Sequence, residues 1–256
     1  MGIDRSIARR RGSMTLMNQA RVAVITGASS GIGAATARAL AADGHRVALL
    51  ARRVDRIKAL ADELGHGALA IEADVTDRDA LVAAADRVRQ EFGRLDALVN
   101  NAGIMLLGPF SAEQREDYRR MVEVNLLGAI TTTEVFLDQL KDGGGDIVNI
   151  SSVAGRTARA GNGVYAATKW GLNGWSESLR RELLPDVRVT LIEPGAVATE
   201  LPTHITHPET RQGTQQLYDQ VEVTAEDVAE VIAFAVSRPR RLAIHEILLR
   251  PAGQEL

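Results

Sequence analysis

The stretch TGASSGIG, residues 26–33, lies between the β-branched run RVAVIT (21–26) and the alanine-rich run GAATARALAADG (33–44). Its glycines, spaced G-x-x-x-G-x-G, allow a sharp turn, bring backbone N–H groups against a phosphate and let a helix pack closely on a strand. A glycine-rich string alone also fits a plain tight turn. Its position directly after a first strand favours a nucleotide-phosphate loop, with the candidate residues Gly27, Ser29, Ser30, Gly31, Ile32 and Gly33.

Short β-branched runs continue to alternate with helical stretches along the chain. The strands predicted after the first cover 45–51, 67–74, 95–100, 146–152, 187–193 and 244–250. The helices predicted after the first cover 53–65, 76–92 with a cap in TDRD (76–79), 112–140, a stretch around Tyr165 and 225–237. Strands that are apolar on both faces suit a parallel sheet covered by helices on each side. The expected fold is therefore α/β, a single doubly wound Rossmann domain with a central parallel sheet of about seven strands and helices on both faces.

Composition narrows the domain organisation and the partners. The 256 residues are 45% hydrophobic and carry a net charge of −3, which gives no field for nucleic acid. The chain has no cysteine, which excludes disulfides and thiolate chemistry and fits a cytoplasmic location, and no apolar run reaches the roughly 18 residues of a membrane span. Residues 1–19 are arginine-rich without an apolar segment behind them, so we expect a flexible extension followed by one domain over 20–256.

The end of the second predicted strand indicates which dinucleotide is bound. Dinucleotide folds place an acidic residue there to hold the ribose 2′-hydroxyl. This chain has Ala51 at that position, followed by Arg52 and Arg53. A missing acid with two added cations favours the 2′-phosphate of NADP(H), although two arginines at a strand exit also fit a solvated surface.

Two further stretches come at the carboxyl ends of predicted strands. Asp74 and Val75 follow the third strand, and NNAG (100–103) follows the fourth, with Asn101, Ala102 and Gly103 as the candidate contacts. Each stretch alone fits a loop acid or a plain Asn–Gly turn. In a doubly wound sheet both reach the crevice that holds the ligand, so we predict that both contribute to the cofactor site.

These motifs together resemble the classical short-chain dehydrogenase/reductases over essentially the whole length after residue 19. The matching elements, in order and at the family's spacing, are TGASSGIG, NNAG, Asn125 in VEVNLLG, NISS (149–152), YAATK (165–169) and EPGAVAT (193–199). NNAGIMLLGP and HEILLRP look further like the branch that contains 3-hydroxy acid and serine dehydrogenases and the clavulanic-aldehyde reductase. The resemblance implies an NADP-dependent alcohol dehydrogenase or carbonyl reductase, which interconverts a carbonyl and an alcohol by hydride transfer.

Tyr165 and Lys169 are four residues apart, so a helix brings their polar groups to one face. The lysine cation and the positive nicotinamide are expected to lower the pKa of the phenol from about 10 towards working pH, so that Tyr165 serves as general acid and base. The resemblance adds Ser152, which would bond the substrate oxygen, with Ser151 as a rival for that position. It also makes Asn125 the organiser of a proton-relay water, whereas the residue pattern alone fits a satisfied core asparagine.

The resemblance extends to the segment after the sixth predicted strand. There Pro194, Gly195 and Val197 would hold the nicotinamide carboxamide and Thr199 would contact the cofactor, as Tyr165 and Lys169 also would. A substrate lid is expected at about 200–223.

Candidate substrate contacts lie in two polar stretches. His204 and His207 in the lid would line or cap the pocket, and without a third ligand no metal is predicted. Arg156 and Arg159 either pair with a substrate carboxylate or face solvent.

The resemblance also implies a small-molecule carbonyl or alcohol substrate and a homotetramer, with Trp170 and Trp175 available for contacts along the tyrosine-bearing helix. Two alternative functions stay open. One is a reductase of acyl-carrier or steroid-type ketones in the same family, and the other is a non-catalytic nucleotide-sensing protein.

Overall fold

A computed structural model describes residues 20–253, so the flexible extension predicted for 1–19 lies outside the described residues. The core is a seven-stranded, fully parallel sheet in the order β3-β2-β1-β4-β5-β6-β7. The strands are β1 Val22–Thr26, β2 Arg46–Ala51, β3 Leu69–Glu72, β4 Ala97–Asn100, β5 Asp146–Ile150, β6 Arg188–Pro194 and β7 Glu246–Leu249. The predicted doubly wound Rossmann fold is confirmed, and its strand order reverses between β1 and β4, which is where such sheets bind ligands.

The helices are α1 Gly31–Ala42, α2 Val54–Leu64, α3 Arg78–Phe92, α4 Arg115–Val122, α5 Gly128–Gly143, α6 Gly163–Leu183, α7 Pro208–Tyr218 and α8 Ala225–Val236. Successive side chains of each strand point to opposite faces of the sheet, so both faces present apolar groups on which helices pack. Ala23 and Ile25 of β1 belong to a core that includes α1, α2 and α8. Val22 and Val24 belong to a second core that includes α3, α5 and α6.

Three local predictions need correction. The helix predicted over 112–140 is interrupted by a π turn at Glu123–Leu127, which separates α4 from α5. The cap of α3 is Asp77 rather than the first residue of TDRD, because the Asp77 carboxylate accepts from the backbone N–H groups of Asp79 and Ala80. The predicted lid contains a helix, α7, that the sequence pattern did not indicate.

Candidate active site

One cleft of about 1530 Å³ runs along the carboxyl ends of the strands, which is large for a single small molecule. It gathers most of the residues that the sequence singled out for cofactor binding, and Gly33 is the exception. Ser152, Tyr165, Lys169, Arg159 and His204 also line it. Asn125 and Arg156 do not line the cleft. Asn125 lies in the π turn, and Arg156 pairs with Glu193.

The glycine loop is packed against the NNAG segment, which explains the glycine spacing. Gly27 has a φ of +64°, and a Cβ there would lie 2.9 Å from the Cα of Ala102. A Cβ on Gly33 would lie 2.5 Å from the carbonyl oxygen of Gly27, so Gly33 allows close packing of α1 rather than lining the cleft. The Thr26 hydroxyl accepts from the backbone N–H of Asn101 at 3.0 Å, which fixes the two loops together.

The two arginines after β2 differ in how they are held. Arg53 donates from Nε to the Ser29 hydroxyl at 3.0 Å and from Nη2 to the Ser30 hydroxyl at 2.7 Å. Ser30 precedes α1 and makes no side-chain bond to that helix's own N–H groups. The Arg52 side chain is 65% exposed, with Nη1 3.6 Å from the Asp74 carboxylate. The glycine loop and helix N-terminus thus face a pair of cations, a donor set that fits phosphate groups.

Tyr165 and Lys169 are both buried on the first turns of α6. The Lys169 ammonium donates to the carbonyl oxygen of Ile150 at 2.9 Å and lies 5.7 Å from the centre of the Tyr165 ring. Burial lowers the pKa of Lys169 to about 8. Burial also raises the pKa of Tyr165, reinforced by Tyr218 and opposed by a hydrogen bond with Ser152.

The expected fall in the tyrosine pKa involves the lysine and a bound nicotinamide together, whereas in the protein alone burial raises the pKa of Tyr165. Desolvation disfavours the charged form of each group. Tyr165 therefore keeps its proton through the neutral range.

The two adjacent serines after β5 have different surroundings. Ser152 accepts from the backbone N–H of Ala154 at 3.1 Å and hydrogen-bonds Tyr165. Ser151 is buried and donates to the amide oxygen of Asn173 at 2.6 Å. Of the two, only Ser152 is bonded to the phenol, although both line the cleft.

Asn125 lies in the π turn, behind the cleft wall. Its amide oxygen accepts from the backbone N–H of Ile104 at 2.8 Å, and its Nδ2 donates to the Ile104 carbonyl oxygen at 2.9 Å and to the Thr168 hydroxyl at 3.2 Å. The side chain is thus satisfied within the core. A Cβ placed on Gly103 would lie 3.5 Å from Asn125 Oδ1 and 3.9 Å from Lys169 Nζ, so both groups flank the same backbone.

Arg156 is not a substrate contact, which corrects the sequence interpretation. Its guanidinium forms a 2.6 Å ion pair with Glu193, whose side chain is fully buried, and a second ion pair with Glu246. The buried carboxylate needs a cation, and Arg156 supplies it outside the cleft.

The remaining polar candidates divide between the lining of the cleft and the cap of α7. Arg159 lines the cleft, and within residues 20–253 its guanidinium has no ion-pair partner. His204 also lines the cleft, whereas His207 caps α7 by accepting from the backbone N–H of Thr210 at 3.3 Å. Residues 20–253 contain no cluster of metal-ligating side chains.

Sequence reasoning missed two cleft residues. Glu200 pairs with Arg53 at 2.5 Å, and its only local signal is an acid directly after the cofactor-loop residue Thr199. Tyr218, at the end of α7, lies near enough to Tyr165 to raise its pKa, and no local pattern indicates that contact.

The fold and the cleft define a dinucleotide-binding α/β protein. The family profile for short chain dehydrogenase matches residues 21–210, and the chain belongs to this family of oxidoreductases. It is 38% identical over 234 residues to the serine 3-dehydrogenase of Agrobacterium fabrum, covering 90% of this chain and 94% of the relative.

Solved structures of similar proteins agree with this assignment. The closed form of a serine dehydrogenase complexed with NADP+ superposes with a TM-score of 0.85 at 33% identity, covering 92% of this chain and 96% of that one. A 3-ketoacyl-(acyl-carrier-protein) reductase from Brucella melitensis complexed with NADH gives a TM-score of 0.80 at 30% identity, covering 91% and 98%. A nicotinamide dinucleotide is therefore the cofactor class. Every helix within residues 20–253 is too short or too polar to cross a membrane.

Proposed function

We propose that this protein is an NADP(H)-dependent oxidoreductase that interconverts an aldehyde or ketone with an alcohol, with Tyr165 as the general acid and base. The observation that carries the proposal is the group of buried Tyr165 and Lys169 with half-buried Ser152, at the wall of a cleft that a glycine loop also lines. When bound, the nicotinamide supplies the hydride chemistry, and the chain supplies position and protons.

Each residue of this group has a role that fits its surroundings. Tyr165 keeps its proton because burial raises its pKa, and it gives that proton to a carbonyl oxygen as the oxygen gains negative charge. Ser152 donates a hydrogen bond to the same oxygen. Lys169 replaces the proton on Tyr165, and Asn125 holds the backbone beside the lysine, consistent with the relay that the family resemblance implies.

The choice of NADP(H) rests on the end of β2. Ala51 offers no carboxylate to a ribose hydroxyl, Arg53 contacts the glycine loop, and Arg52 lines the same cleft beside Asp74. Because a 2′-phosphate adds negative charge where these cations lie, NADP(H) is the favoured form. Similar proteins have been solved with either cofactor, so this choice depends on the arginines.

The substrate end of the cleft combines cations with apolar walls. Arg159 and Arg120 line it, together with Met105, Leu107 and Val124. A small carbonyl compound that carries a carboxylate suits this lining, and the similarity to serine 3-dehydrogenase is in keeping with it. We assign residues 200–223 as the lid over this end, because several residues of α7 line the cleft.

The direct test measures NADPH absorbance with a panel of aldehydes, neutral ketones, 3-oxo acids and acyl-carrier thioesters. We expect turnover, fastest with small carboxylated carbonyls. Preference for long thioester or steroid ketones would support the alternative reductase in the same family, and the 3-ketoacyl-(acyl-carrier-protein) reductase is one similar protein of that kind. Cofactor binding without turnover of any compound would favour a nucleotide sensor.

We also propose a homotetramer. Trp170 on α6 is 52% exposed, and Phe234 and Leu248 expose apolar surface at α8 and the edge strand β7. Large exposed apolar side chains mark interaction surfaces. Sedimentation at micromolar concentration is expected to give four times the chain mass of 27.5 kDa, and a stable monomer would contradict this assembly.

A further inference from the structure

Glu200 fills a position at the phosphate end of the cleft that an anion of the cofactor would also use. Its Oε1 lies 2.5 Å from Arg53 Nη2 and accepts from the Ser30 hydroxyl at 2.7 Å. Its Oε2 accepts from Arg56 Nη1 at 3.0 Å. Hydrogen bonds from these three residues overcome partial burial and bring the pKa of Glu200 to about 2, so the carboxylate is charged.

The same donors serve the glycine loop. Arg53 Nη2 also contacts the Ser29 and Ser30 hydroxyls, at 2.9 and 2.7 Å, so Glu200, Ser30 and Arg53 form a closed set of contacts at the start of α1. Helix N-termini with exposed N–H groups and a nearby arginine attract phosphates. An internal carboxylate therefore holds Arg53, a second cation beside Arg52 that the 2′-phosphate of NADP(H) can also contact.

We infer that Glu200 is a specificity-determining residue, an internal anion that competes with the cofactor 2′-phosphate for Arg53. The inference rests on the proposed preference for NADP(H). NADH has no 2′-phosphate, so its binding leaves the contact between Glu200 and Arg53 in place. NADPH must displace the carboxylate or share the guanidinium with it, and Glu200 thus narrows the difference in affinity between the two cofactors.

The test is Glu200→Gln, which keeps the shape of the side chain and can still accept from Ser30. Binding is measured by fluorescence titration with NADPH and NADH, and by calorimetry with 2′,5′-ADP and 5′-AMP, which need no turnover. We expect NADPH and 2′,5′-ADP to bind about three- to tenfold more tightly, between the effect of an exposed ion pair and that of a full charge-assisted hydrogen bond. NADH and 5′-AMP are expected to change by less than about twofold, because they carry no group for Arg53.

Glu209→Gln is the matched control, since Glu209 is an exposed glutamate of the same lid segment without a contact to Arg53. It removes the same charge and is expected to leave all four affinities within about twofold. Glu200→Ala removes the carboxylate and its Ser30 contact together, and it is expected to shift the same ratio in the same direction. If Glu200→Gln does not fold, this second variant decides the question.

Unchanged or weakened binding of 2′,5′-ADP in both Glu200 variants would overturn the inference, and weakened binding would make Glu200 a clasp over the cofactor. The binding results and the activity results can fail independently, so the inference and the proposed function are tested separately. An active NADPH-dependent reductase with unchanged affinity ratios would retain the function and reject the competition. Tighter 2′,5′-ADP binding in a protein that reduces no carbonyl would retain the competition and reject the function.

Discussion

The two ends of the cleft hold their charged groups in opposite environments. At the nucleotide end, the side chains of Arg52 and Arg53 are 65% and 40% exposed and act through contacts that water and salt screen. At the catalytic end, Tyr165 and Lys169 are 8% and 6% exposed, and burial shifts the pKa of each. Desolvation of a buried group has larger consequences than a screened ion pair, so we expect substitutions at the catalytic end to have the larger effects.

The largest effect is expected for Tyr165→Phe. The phenyl ring fills the same space but has no proton to transfer, so turnover should fall by at least about 10²–10⁴, the usual contribution of a general acid. Cofactor affinity should stay nearly unchanged, because the phosphate contacts lie at the other end of the cleft. Steady-state rates and a fluorescence titration measure the two quantities.

Tyr118→Phe is the matched control for this substitution. Tyr118 accepts from the backbone N–H of Ser111 at 3.0 Å and is not among the residues that line the cleft. The control should keep wild-type turnover. Near-wild-type turnover in Tyr165→Phe would remove the phenol from the mechanism and break the contrast between the two ends.

The second effect concerns stability and tests whether Lys169 is as desolvated as its position implies. Its pKa is about 8 in the folded protein against an ordinary lysine value of 10.5, so between these values the unfolded chain binds more protons than the folded one. The contribution of Lys169 to the free energy of unfolding must therefore rise with pH across this window. The rise should amount to about 3 kcal/mol, since each tenfold change in proton affinity corresponds to about 1.36 kcal/mol.

Lys169→Met isolates this contribution. Loss of the bond to the Ile150 carbonyl lowers the free energy of unfolding by the same amount at every pH, so it does not change the slope of that free energy against pH. Denaturant unfolding of the cofactor-free protein, from about pH 8 to about pH 10.5, should show a steeper rise for the wild type than for the variant. Lys58→Met, on the exposed face of α2, is the control. Parallel slopes for wild type and Lys169→Met would mean that the ammonium is well solvated.

The sequence predicted the nucleotide end of the fold well because its signals are local. The glycine loop, the missing acid at Ala51 and the apolar strands are all readable within short windows, and the structure has the seven-stranded parallel sheet that the strand pattern predicted. At the catalytic end, the structure brings the predicted Ser152, Tyr165 and Lys169 together at the cleft, but the sequence did not reveal their electrostatics. Tyr165 packs with Tyr218, which is distant in sequence, so the local pattern does not reveal that burial raises the pKa of Tyr165 in the protein alone.

Two other features that the sequence did not predict also depend on contacts or exposure that a local pattern does not show. Arg156 pairs with Glu193, 37 residues away, and a one-dimensional pattern does not reveal that a carboxylate before Pro194 is buried. Helix α7 has no buried residue and therefore no apolar face to give it a period. Its only local signals are Pro208 at the first turn and the His207 cap, which fit a helix start. Long-range pairing and solvent-exposed helices are where sequence patterns carry least information.

The smallest effect is expected at the nucleotide end, where the predicted NADPH preference is at least about tenfold in kcat/KM, the lower range for one charge-assisted contact. Arg52→Ala should remove most of that margin while barely changing NADH. Within residues 20–253 the ion pair of Arg52 is with Asp74 at 3.6 Å, which leaves its guanidinium free to turn towards a phosphate.

Adding Ala51→Asp to Arg52→Ala should reverse the order, because a carboxylate at that position accepts from the ribose hydroxyl of NAD and repels a phosphate. Lys58→Ala, another exposed cation on α2, is the control and should keep the wild-type ratio. The preference for NADPH over NADH should also weaken in added salt, because salt screens an exposed ion pair. The loss of turnover in Tyr165→Phe should not depend on salt, because its cause is a missing proton. This difference in salt response separates the two ends of the cleft in one experiment. Equal use of NADH and NADPH by the wild type, or unchanged selectivity in Arg52→Ala, would show that the phosphate lies elsewhere.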